Sequence, residues 1–191
     1  MLKIGISGAK GSFSEEAVRT YARKLNGSLG RYQIEYLVSV ENVLAALEND
    51  SVHLGIFPIE NSNGGVVLEA VHAMSRHNFE IKKIFEIDVH HNLLVKRGVT
   101  AEHVRVITSH DQAIRQCRTY LRRKWPNIDH KDYADTAKAA EDLASGKLSD
   151  STAVIASLAA AEIYGLDILE ESIQDLKFNY TSFIAAGART K

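Results

Sequence analysis

The chain has 191 residues, of which 45% are hydrophobic and 25% charged, a composition typical of one globular domain or two small lobes. Its 23 basic and 24 acidic side chains leave a formal net charge of −1, which argues against nucleic acid or an anionic membrane as the main partner. The single cysteine, Cys117, excludes an intrachain disulfide framework and a cysteine-cluster zinc site.

The sequence contains no apolar run as long as a membrane-spanning helix requires. The first five residues, Met1 to Gly5, lack the charged head and the apolar core of a secretion signal. We therefore expect a cytoplasmic protein that has no membrane partner.

The first half of the chain alternates strand-like apolar runs with segments of helical spacing. Ser12 or Ser14 is the predicted N-cap of the first helix, and Glu15 follows in the first turn, where the helix dipole favours acids. A long β-rich segment is expected to pass from one lobe to the other. The predicted strands are 2–7, 33–38, 54–57, 79–90 and 92–95, the predicted helices are 13–25, 40–47 and 66–74, and Gly27 to Gly30 form a turn.

The second half repeats this alternation. Asp135 or Thr136 is the predicted cap of one helix, and Gly165 is the predicted end of another. The predicted strands are 104–108, 128–133, 152–156 and 181–186, the predicted helices are 112–124, 134–144 and 159–164, and 109–111 form a capping turn. Strands that alternate with helices throughout predict an α/β fold with mainly parallel sheets.

Three predicted loops carry uncharged hydrogen-bonding groups next to a helix start: Ser12 and Ser14, Asn61 to Gly65, and Ser109 to Gln112. Parallel sheets bind ligands beyond the carboxyl ends of their strands, and helix N-termini favour anions. The pattern therefore predicts a two-lobed α/β protein with a cleft for a small organic anion. The alternative for 57–65 is an ordinary strand-to-helix loop whose Asn and Ser cap the next helix.

Four segments resemble, in order and spacing, the signature blocks of the prephenate dehydratase family. They are Gly8 to Val18 (GAKGSFSEEAV), Pro58 to Val66 (PIENSNGGV), Ser109 to Arg118 (SHDQAIRQCR) and Asn179 to Phe183 (NYTSF), and Ala153 to Leu169 matches as well. The resemblance implies a two-lobed α/β fold like that of type II periplasmic binding proteins, with a ligand cleft between the lobes. It assigns about 1–85 plus 170–191 to one lobe and about 86–169 to the other.

The same resemblance implies a carbon–oxygen lyase that converts prephenate to phenylpyruvate, CO2 and water in phenylalanine biosynthesis. Arogenate is the other substrate it leaves open. Aromatisation of the ring drives this reaction, so the expectation is a site without metal or organic cofactor. A homodimer is implied as well. Because the sequence shows neither a chorismate mutase segment nor a phenylalanine-sensing ACT domain, we expect a stand-alone catalytic domain.

By this resemblance, Thr181 is the catalytic residue, which donates a hydrogen bond to the leaving hydroxyl. Asn61, Ser109 and Gln116 are implied to be polar residues of the site. Gln116 follows Ser109 by seven residues, or two helical turns, so both are expected on one helix face. The other substrate-binding candidates are Ser12, Phe13, Ser14, Glu60, Ser62, Gly64, Gly65, Gln112 and Phe183.

Each of these candidates also has a structural interpretation. Thr181 fits an ordinary β-branched strand residue, and Gln116 fits a solvent-facing helix position. Asn61, Ser62 and Ser109 fit residues that only cap the helix after them.

Five further titratable residues are candidate reactive groups. Glu60, beside apolar neighbours, is a candidate proton source with a raised pKa, and a structural ion pair is the favoured alternative. His90, His91 and His110 are candidate general acids, although lone histidines usually have structural roles. Cys117 fits the apolar face of a helix better than a nucleophile.

Three positions depart from the family pattern. Ser182 stands where the family usually has Arg, Asp111 where it has Pro, and Ala9 where it has Pro in the first turn. Loss of the arginine removes a permanent cation beside Thr181, which favours one alternative, an impaired homologue that only binds an aromatic or carboxylic acid. A second alternative is a prephenate decarboxylase that forms no aromatic product, against which the retained Thr181 and the other blocks weigh.

Overall fold

The computed structural model describes residues 1–24 and 30–189 and divides the chain into two compact units. The first unit comprises Met1–Asp88 and Asn179–Lys191, and the second comprises Val89–Phe178. The second unit extends beyond the boundary predicted near 170, because the backbone N–H of Ile173 donates to the His91 carbonyl within it (2.8 Å). The predicted turn from Gly27 lies outside the described residues except for its last glycine.

One sheet forms the centre of the first unit. Its strands are β1 (Leu2–Ile6), β2 (Tyr32–Tyr36), β3 (Leu54–Asn61), β4 (Gly65–Val66), β5 (Phe79–Asp88) and the last strand of the chain, β11 (Tyr180–Ala188). They follow the order β2-β1-β3-β11-β5, with β4 paired to β3. Strand β1 runs parallel to β2 and β3, whereas β11 runs antiparallel to both β3 and β5.

Three helices cover this sheet: α1 (Phe13–Lys24), α2 (Val40–Glu48) and α3 (Leu68–Met74). The Ser39 side chain caps α2 by accepting from the backbone N–H of Asn42. Leu44 and Leu47 are fully buried and pack with Phe57 in the core, which anchors the middle of β3. The strand carrying the family block is therefore held from one face by a helix.

The structure corrects the prediction for the segment around Asn61. Strand β3 does not end at Phe57 but continues to Asn61, because β11 pairs with it that far. The chain then turns back as β4 and enters α3 at Leu68, whose cap position is Val67 without a side-chain hydrogen bond. The alternative in which Asn61 and Ser62 cap the following helix is thus wrong.

The second unit is built on a sheet of order β10-β6-β9-β7-β8. Strand β7 is parallel to β8 and β9, and β6 is antiparallel to β9 and β10. Its elements are β6 (Asn92–Val95), β7 (Val106–Ser109), α4 (Asp111–Gln116), α5 (Arg118–Lys124), β8 (Asp129–Asp132), α6 (Thr136–Ala144), β9 (Thr152–Ala156), α7 (Leu158–Tyr164) and β10 (Asp167–Glu170). Both sheets are mixed rather than mainly parallel, because each contains strands that run against its parallel pairs.

The predicted helix over 112–124 is two helices that meet at Cys117. Asp175 stabilises this break, since its carboxylate accepts the backbone N–H groups of Thr119 and Tyr120 at 2.7 and 2.8 Å. Ser109 is the last residue of β7 rather than part of the helix. The expectation that it shares a helix face with Gln116 is therefore wrong.

Helix ends elsewhere in this unit follow the sequence. The Asp135 side chain accepts from the backbone N–H of Lys138 and caps α6, as predicted. Gly165 ends α7 in the left-handed conformation with φ 64°, also as predicted. In residues 1–24 and 30–189, no helix is long and apolar enough to cross a membrane.

Candidate active site

Thr181 lies in β11 between two neighbouring strands. It pairs with Asn61 of β3 on one side and with Ile87 of β5 on the other. Its side chain is mostly buried, at 8% exposure. Two ladders of backbone hydrogen bonds therefore fix the position of this hydroxyl.

The Asn61 carboxamide determines how the Thr181 hydroxyl is oriented. Its Oδ1 accepts the backbone N–H groups of Asn63 (2.9 Å) and Gly64 (2.8 Å), so the turn fixes which end is oxygen. Its Nδ2 then donates to Thr181 Oγ1 at 2.8 Å. Across the described residues, Thr181 Oγ1 makes no other hydrogen bond, so its own proton is left for an acceptor outside the chain.

Asn179 is a functional candidate that sequence reasoning did not single out. It is fully buried, and its Oδ1 accepts from Asn61 Nδ2 (2.9 Å) and from Asn63 Nδ2 (3.1 Å). Its backbone N–H donates to Asp88 Oδ1 at 3.2 Å. The signal was its place in the NYTSF block, two residues before Thr181, but the partners of its side chain, Asn61 and Asn63, lie more than 110 residues earlier in the chain.

The residues that follow Asn61 in the hairpin turn, 62–65, stabilise the turn. The backbone N–H of Ser62 donates to the Tyr180 carbonyl (2.8 Å), and its Oγ accepts from the Tyr180 N–H (3.1 Å). Gly65 has φ +76°, a conformation that side chains other than glycine adopt only with strain. Ser62 and Gly65, together with Gly64, therefore hold the hairpin on which Asn61 sits.

Glu60 lies on the strand face opposite Asn61, because side chains alternate along a strand. It pairs with Ser182 of β11 and is exposed, and the pairing of β3 with β11 shifts in register between Glu60 and Pro58. Within the described residues it forms no ion pair. Neither the proton-source interpretation nor the ion-pair interpretation of Glu60 is supported by this placement.

The glycine turn before α1 carries buried hydroxyls. Ser12 is 8% exposed, and its Oγ has no hydrogen-bond partner among the described residues. Ser14 is 6% exposed. A Cβ atom at Gly8 would lie 2.3 Å from Ser12 Oγ, so a side chain at this position would displace the Ser12 hydroxyl. Phe13 is the first residue of α1.

Besides its favourable position in the helix dipole, Glu15 is the centre of a buried hydrogen-bond network. It is 4% exposed, and its Oε2 accepts the backbone N–H of Gly11 (2.8 Å) and the hydroxyl of Tyr36 (3.0 Å). Its Oε1 pairs with Arg19 at 2.9 Å. This buried network fixes the turn that presents the serines.

Phe183, predicted to bind substrate, lies in the core of the first unit. It is 1% exposed, and its ring stacks on Phe85 with centroids 6.0 Å apart. Its place in the NYTSF block therefore reflects packing behind Thr181 in this structure.

The predicted polar residues of the second unit differ in accessibility. Ser109 is fully buried and donates its hydroxyl proton to the Ile155 carbonyl at 2.6 Å. Gln112 is exposed near the start of α4. Gln116, half-buried at the end of α4, contacts His91 Nε2 through its Oε1 at 2.7 Å.

The candidate general acids His110 and His91 and the candidate nucleophile Cys117 lie in environments that indicate structural roles. The His110 side chain caps α4 by accepting from the backbone N–H of Gln112. Burial lowers the pKa of His91, which favours a neutral ring. Burial raises the pKa of the Cys117 thiol, with a smaller contribution from Asp175, so Cys117 is a poor nucleophile, as expected.

Each unit, taken by itself, carries neutral hydrogen-bonding groups. In the first unit a strand hydroxyl is oriented by a carboxamide, and in the second unit a carboxamide at a helix end contacts a histidine. In the described part of the chain, no three His, Cys, Asp or Glu side chains are grouped closely enough to hold a metal ion. Two α/β units with such groups at strand and helix ends are typical of proteins that bind small polar ligands.

The chain belongs to the prephenate dehydratase family, whose model matches residues 4–191. A prephenate dehydratase of Methanocaldococcus jannaschii is 35% identical over 184 residues, which cover 95% of this chain and 63% of that protein. The arogenate dehydratase/prephenate dehydratase 6 of Arabidopsis thaliana is also 35% identical over 184 residues, covering 96% of this chain and 42% of that protein. The chain thus spans less than two thirds of the length of either relative.

Solved structures confirm the fold class. The prephenate dehydratase of Arthrobacter aurescens in complex with L-Phe has a TM-score of 0.86 at 23% identity, covering 100% of this chain and 61% of that one. GqqA, described as a novel type of quorum quenching acylase, has a TM-score of 0.84 at 26% identity, covering 99% and 65%. A periplasmic substrate-binding protein of Coxiella burnetii has a TM-score of 0.50 at 15% identity, covering 96% and 84%.

Proposed function

We propose that this chain is a prephenate dehydratase that converts prephenate to phenylpyruvate, CO2 and water. The observation that carries the proposal is the hydrogen bond from Asn61 Nδ2 to Thr181 Oγ1. Because Thr181 must accept this bond, its proton is available to a ligand oxygen. A hydroxyl held in this way suits the protonation of a leaving hydroxyl group.

The reaction needs little more from the protein than orientation and one donor. Departure of CO2 leaves its electron pair in the ring, the double bonds shift, and the hydroxyl at the opposite ring carbon leaves with one proton as water. Thr181 donates the hydrogen bond to that oxygen as negative charge develops on it. Polar groups already fixed in place avoid the cost of reorganisation during this step.

Uncharged groups also supply the proposed contacts to the substrate. Asn61 orients Thr181, Ser12 and Ser14 present hydroxyls before α1, and Gln116 donates from the end of α4. Ser62, Gly64 and Gly65 hold the hairpin that carries Asn61, and we keep Ser109 and Gln112 as further candidate residues of the site. We keep prephenate as the substrate and arogenate as the second candidate, because relatives of both names match this chain.

A product assay on the purified chain tests the proposal. Prephenate is added, and ultraviolet absorbance in alkali together with mass spectrometry follows the products. Phenylpyruvate with stoichiometric CO2 supports a dehydratase. A decarboxylated product that is not aromatic supports the decarboxylase alternative, and binding without turnover supports the impaired homologue. The same assay with arogenate, which gives phenylalanine, decides between the substrates.

We also propose a homodimer in the cytoplasm. These two statements rest on the family resemblance and on the charge-balanced composition. Light scattering coupled to size-exclusion chromatography tests the dimer, for which a mass of about 42 kDa is expected, twice the 21.1 kDa of one chain. Cell fractionation of the source organism tests the location.

A further inference from the structure

A buried histidine touches the polar end of Gln116 in the second unit. His91 is 4% exposed, and its Nε2 lies 2.7 Å from Gln116 Oε1. A carboxamide oxygen can only accept a hydrogen bond, so the proton of this bond belongs to His91 Nε2. The pair therefore has a defined direction, from the imidazole to the carboxamide.

The protonation state of His91 agrees with this direction. Burial lowers its pKa and outweighs the opposing effect of the hydrogen bond to Gln116, and the neighbouring His90 adds a smaller lowering of the pKa. A neutral imidazole carries one ring proton, and the contact with Gln116 places it on Nε2. His91 is thus a stable donor near neutral pH.

One short segment, residues 172–175, holds the main chains of both residues. The backbone N–H of Ile173 donates to the His91 carbonyl (2.8 Å), and Gln174 Oε1 accepts the His91 N–H (3.1 Å). The backbone N–H of Asp175 donates to the Gln116 carbonyl at 2.7 Å. His91 and Gln116 are therefore fixed to the same support, and their side chains meet with little freedom.

The contact with His91 determines which end of the Gln116 carboxamide faces the imidazole and which end faces away from it. A glutamine amide has two orientations of similar shape that exchange its oxygen and nitrogen. With Oε1 held by His91, Nε2 lies on the other side of the planar group. The presented end is then a donor, which suits a carboxylate or carbonyl oxygen and disfavours the reverse orientation that would place oxygen against oxygen.

We propose that His91 is a positioning residue that orients the Gln116 carboxamide so that its nitrogen donates to an oxygen of the acidic substrate. The inference rests on the proposed function, because it gives Gln116 a substrate oxygen as its partner. His91 itself does not touch the substrate in this proposal. It acts only through Gln116.

A double-mutant cycle separates positioning from a structural role. We expect His91→Leu to lower kcat/KM for prephenate about tenfold, the effect of one lost orienting hydrogen bond. His91→Gln, which returns an N–H donor near the Nε2 position, should recover most of this loss. In a Gln116→Leu background, His91→Leu should cost less than twofold more. An equal loss in both backgrounds would overturn the proposal, since it would show that His91 acts without Gln116.

His130→Leu is the matched control. His130 lies exposed on β8 in the same unit, and its replacement should change kcat/KM by less than about twofold. Far-ultraviolet circular dichroism and a thermal melt of each variant show whether the fold is retained. Variants that do not fold are replaced by His91→Asn, which is polar but too short to reach Gln116.

A second measurement is independent of turnover. Long-range 1H–15N NMR spectra distinguish the two neutral tautomers of histidine, and we expect His91 to carry its proton on Nε2. A proton on Nδ1 overturns the positioning proposal whatever the activity of the chain. If the Nε2 tautomer is found but prephenate is not turned over, the proposed function fails and the oriented pair stands.

Discussion

In the first unit, Thr181 sits within β11 and receives a hydrogen bond from Asn61, whereas in the second unit Gln116 ends α4 and receives one from His91. The ladders on both sides of β11 already fix the main chain of Thr181. The end of a short helix has no such support, so a separate segment must hold Gln116. The strand site, Thr181, therefore depends on one orienting side chain, that of Asn61. The helix site, Gln116, depends on His91 and also on the loop of residues 172–175.

The largest expected effect is at the strand site. Thr181→Val keeps a β-branched shape but removes the proton donor, so turnover should fall about 100- to 1000-fold while the protein stays folded. Thr181→Ser is the control, because it keeps the hydroxyl and should retain much of the activity. Steady-state kinetics on both variants, with matching circular dichroism spectra, make the comparison. Near-normal turnover by a folded Thr181→Val protein would remove Thr181 from the mechanism.

Asn61→Asp tests whether the direction of the Asn61 bond matters. The carboxylate keeps the acceptor for the turn N–H groups but replaces the Nδ2 donor with an acceptor for the Thr181 proton. We expect kcat to fall about 100-fold, because the hydroxyl then donates within the protein instead of to the substrate. KM should change much less. A variant with normal kcat would show that Asn61 does not orient Thr181.

The two sites also differ in how far the sequence predicted them. Thr181 and Asn61 each stand in a sequence block that resembles the family's, although the two blocks are 120 residues apart. Local rules predicted the caps at Asp135 and Gly165. The extension of β3 to Asn61 depends on β11, which follows about 120 residues later. No local propensity contains such a pairing.

The orienting contacts were missed for the same reason. Asn179 reaches Asn61 across 118 positions, and His91 reaches Gln116 across 25 positions. Sequence spacing placed Ser109 and Gln116 on one continuous helix. The structure separates them, because Ser109 ends β7 and α4 begins only at Asp111.

Ion networks give the two units opposite pH dependence. In the first unit, hydrogen bonds to Glu48 and then Glu41 raise the pKa of His77 above its ordinary value. The stabilisation is therefore full below about pH 6.5, the unfolded pKa, and is lost as pH rises through the folded pKa. We expect His77→Gln to lower the Tm by about 3 °C at pH 5.5 and by less at pH 9.

In the second unit, a hydrogen bond from Tyr133, followed by those from Lys147 and Lys138, lowers the pKa of Asp142 from 3.8 to about 2. This stabilisation is full above the unfolded pKa and is lost as pH falls through about 2. We expect Asp142→Asn to lower the Tm by about 3 °C at pH 6, with a smaller difference below pH 3. Thermal melts of both variants across pH check the contrast. The same trend for His77→Gln and Asp142→Asn would contradict it.

The smallest effect on turnover is expected at Ser182, where the family usually has Arg. Ser182 pairs with Glu60 of β3 and Glu86 of β5, and its Oγ donates to Glu86 Oε1 at 3.3 Å. Neighbouring residues of a strand point to opposite faces, so this acidic pair lies across the sheet from the Thr181 hydroxyl. The Ser182 side chain therefore lies on the face of the sheet opposite the Thr181 hydroxyl, and we expect it to support the strand without contacting the substrate.

Ser182→Arg should place a guanidinium between two exposed carboxylates. We expect a gain in stability of at most about 1 kcal/mol, which shrinks as salt is added, and a change in kcat/KM of less than about threefold. Glu86→Gln in the same background should remove part of the gain, which identifies the partner. An increase in turnover of tenfold or more would instead place the arginine in contact with the chemistry. In that case Ser182 would be a catalytic loss, and the opposite-face argument drawn from the register of β11 would be wrong.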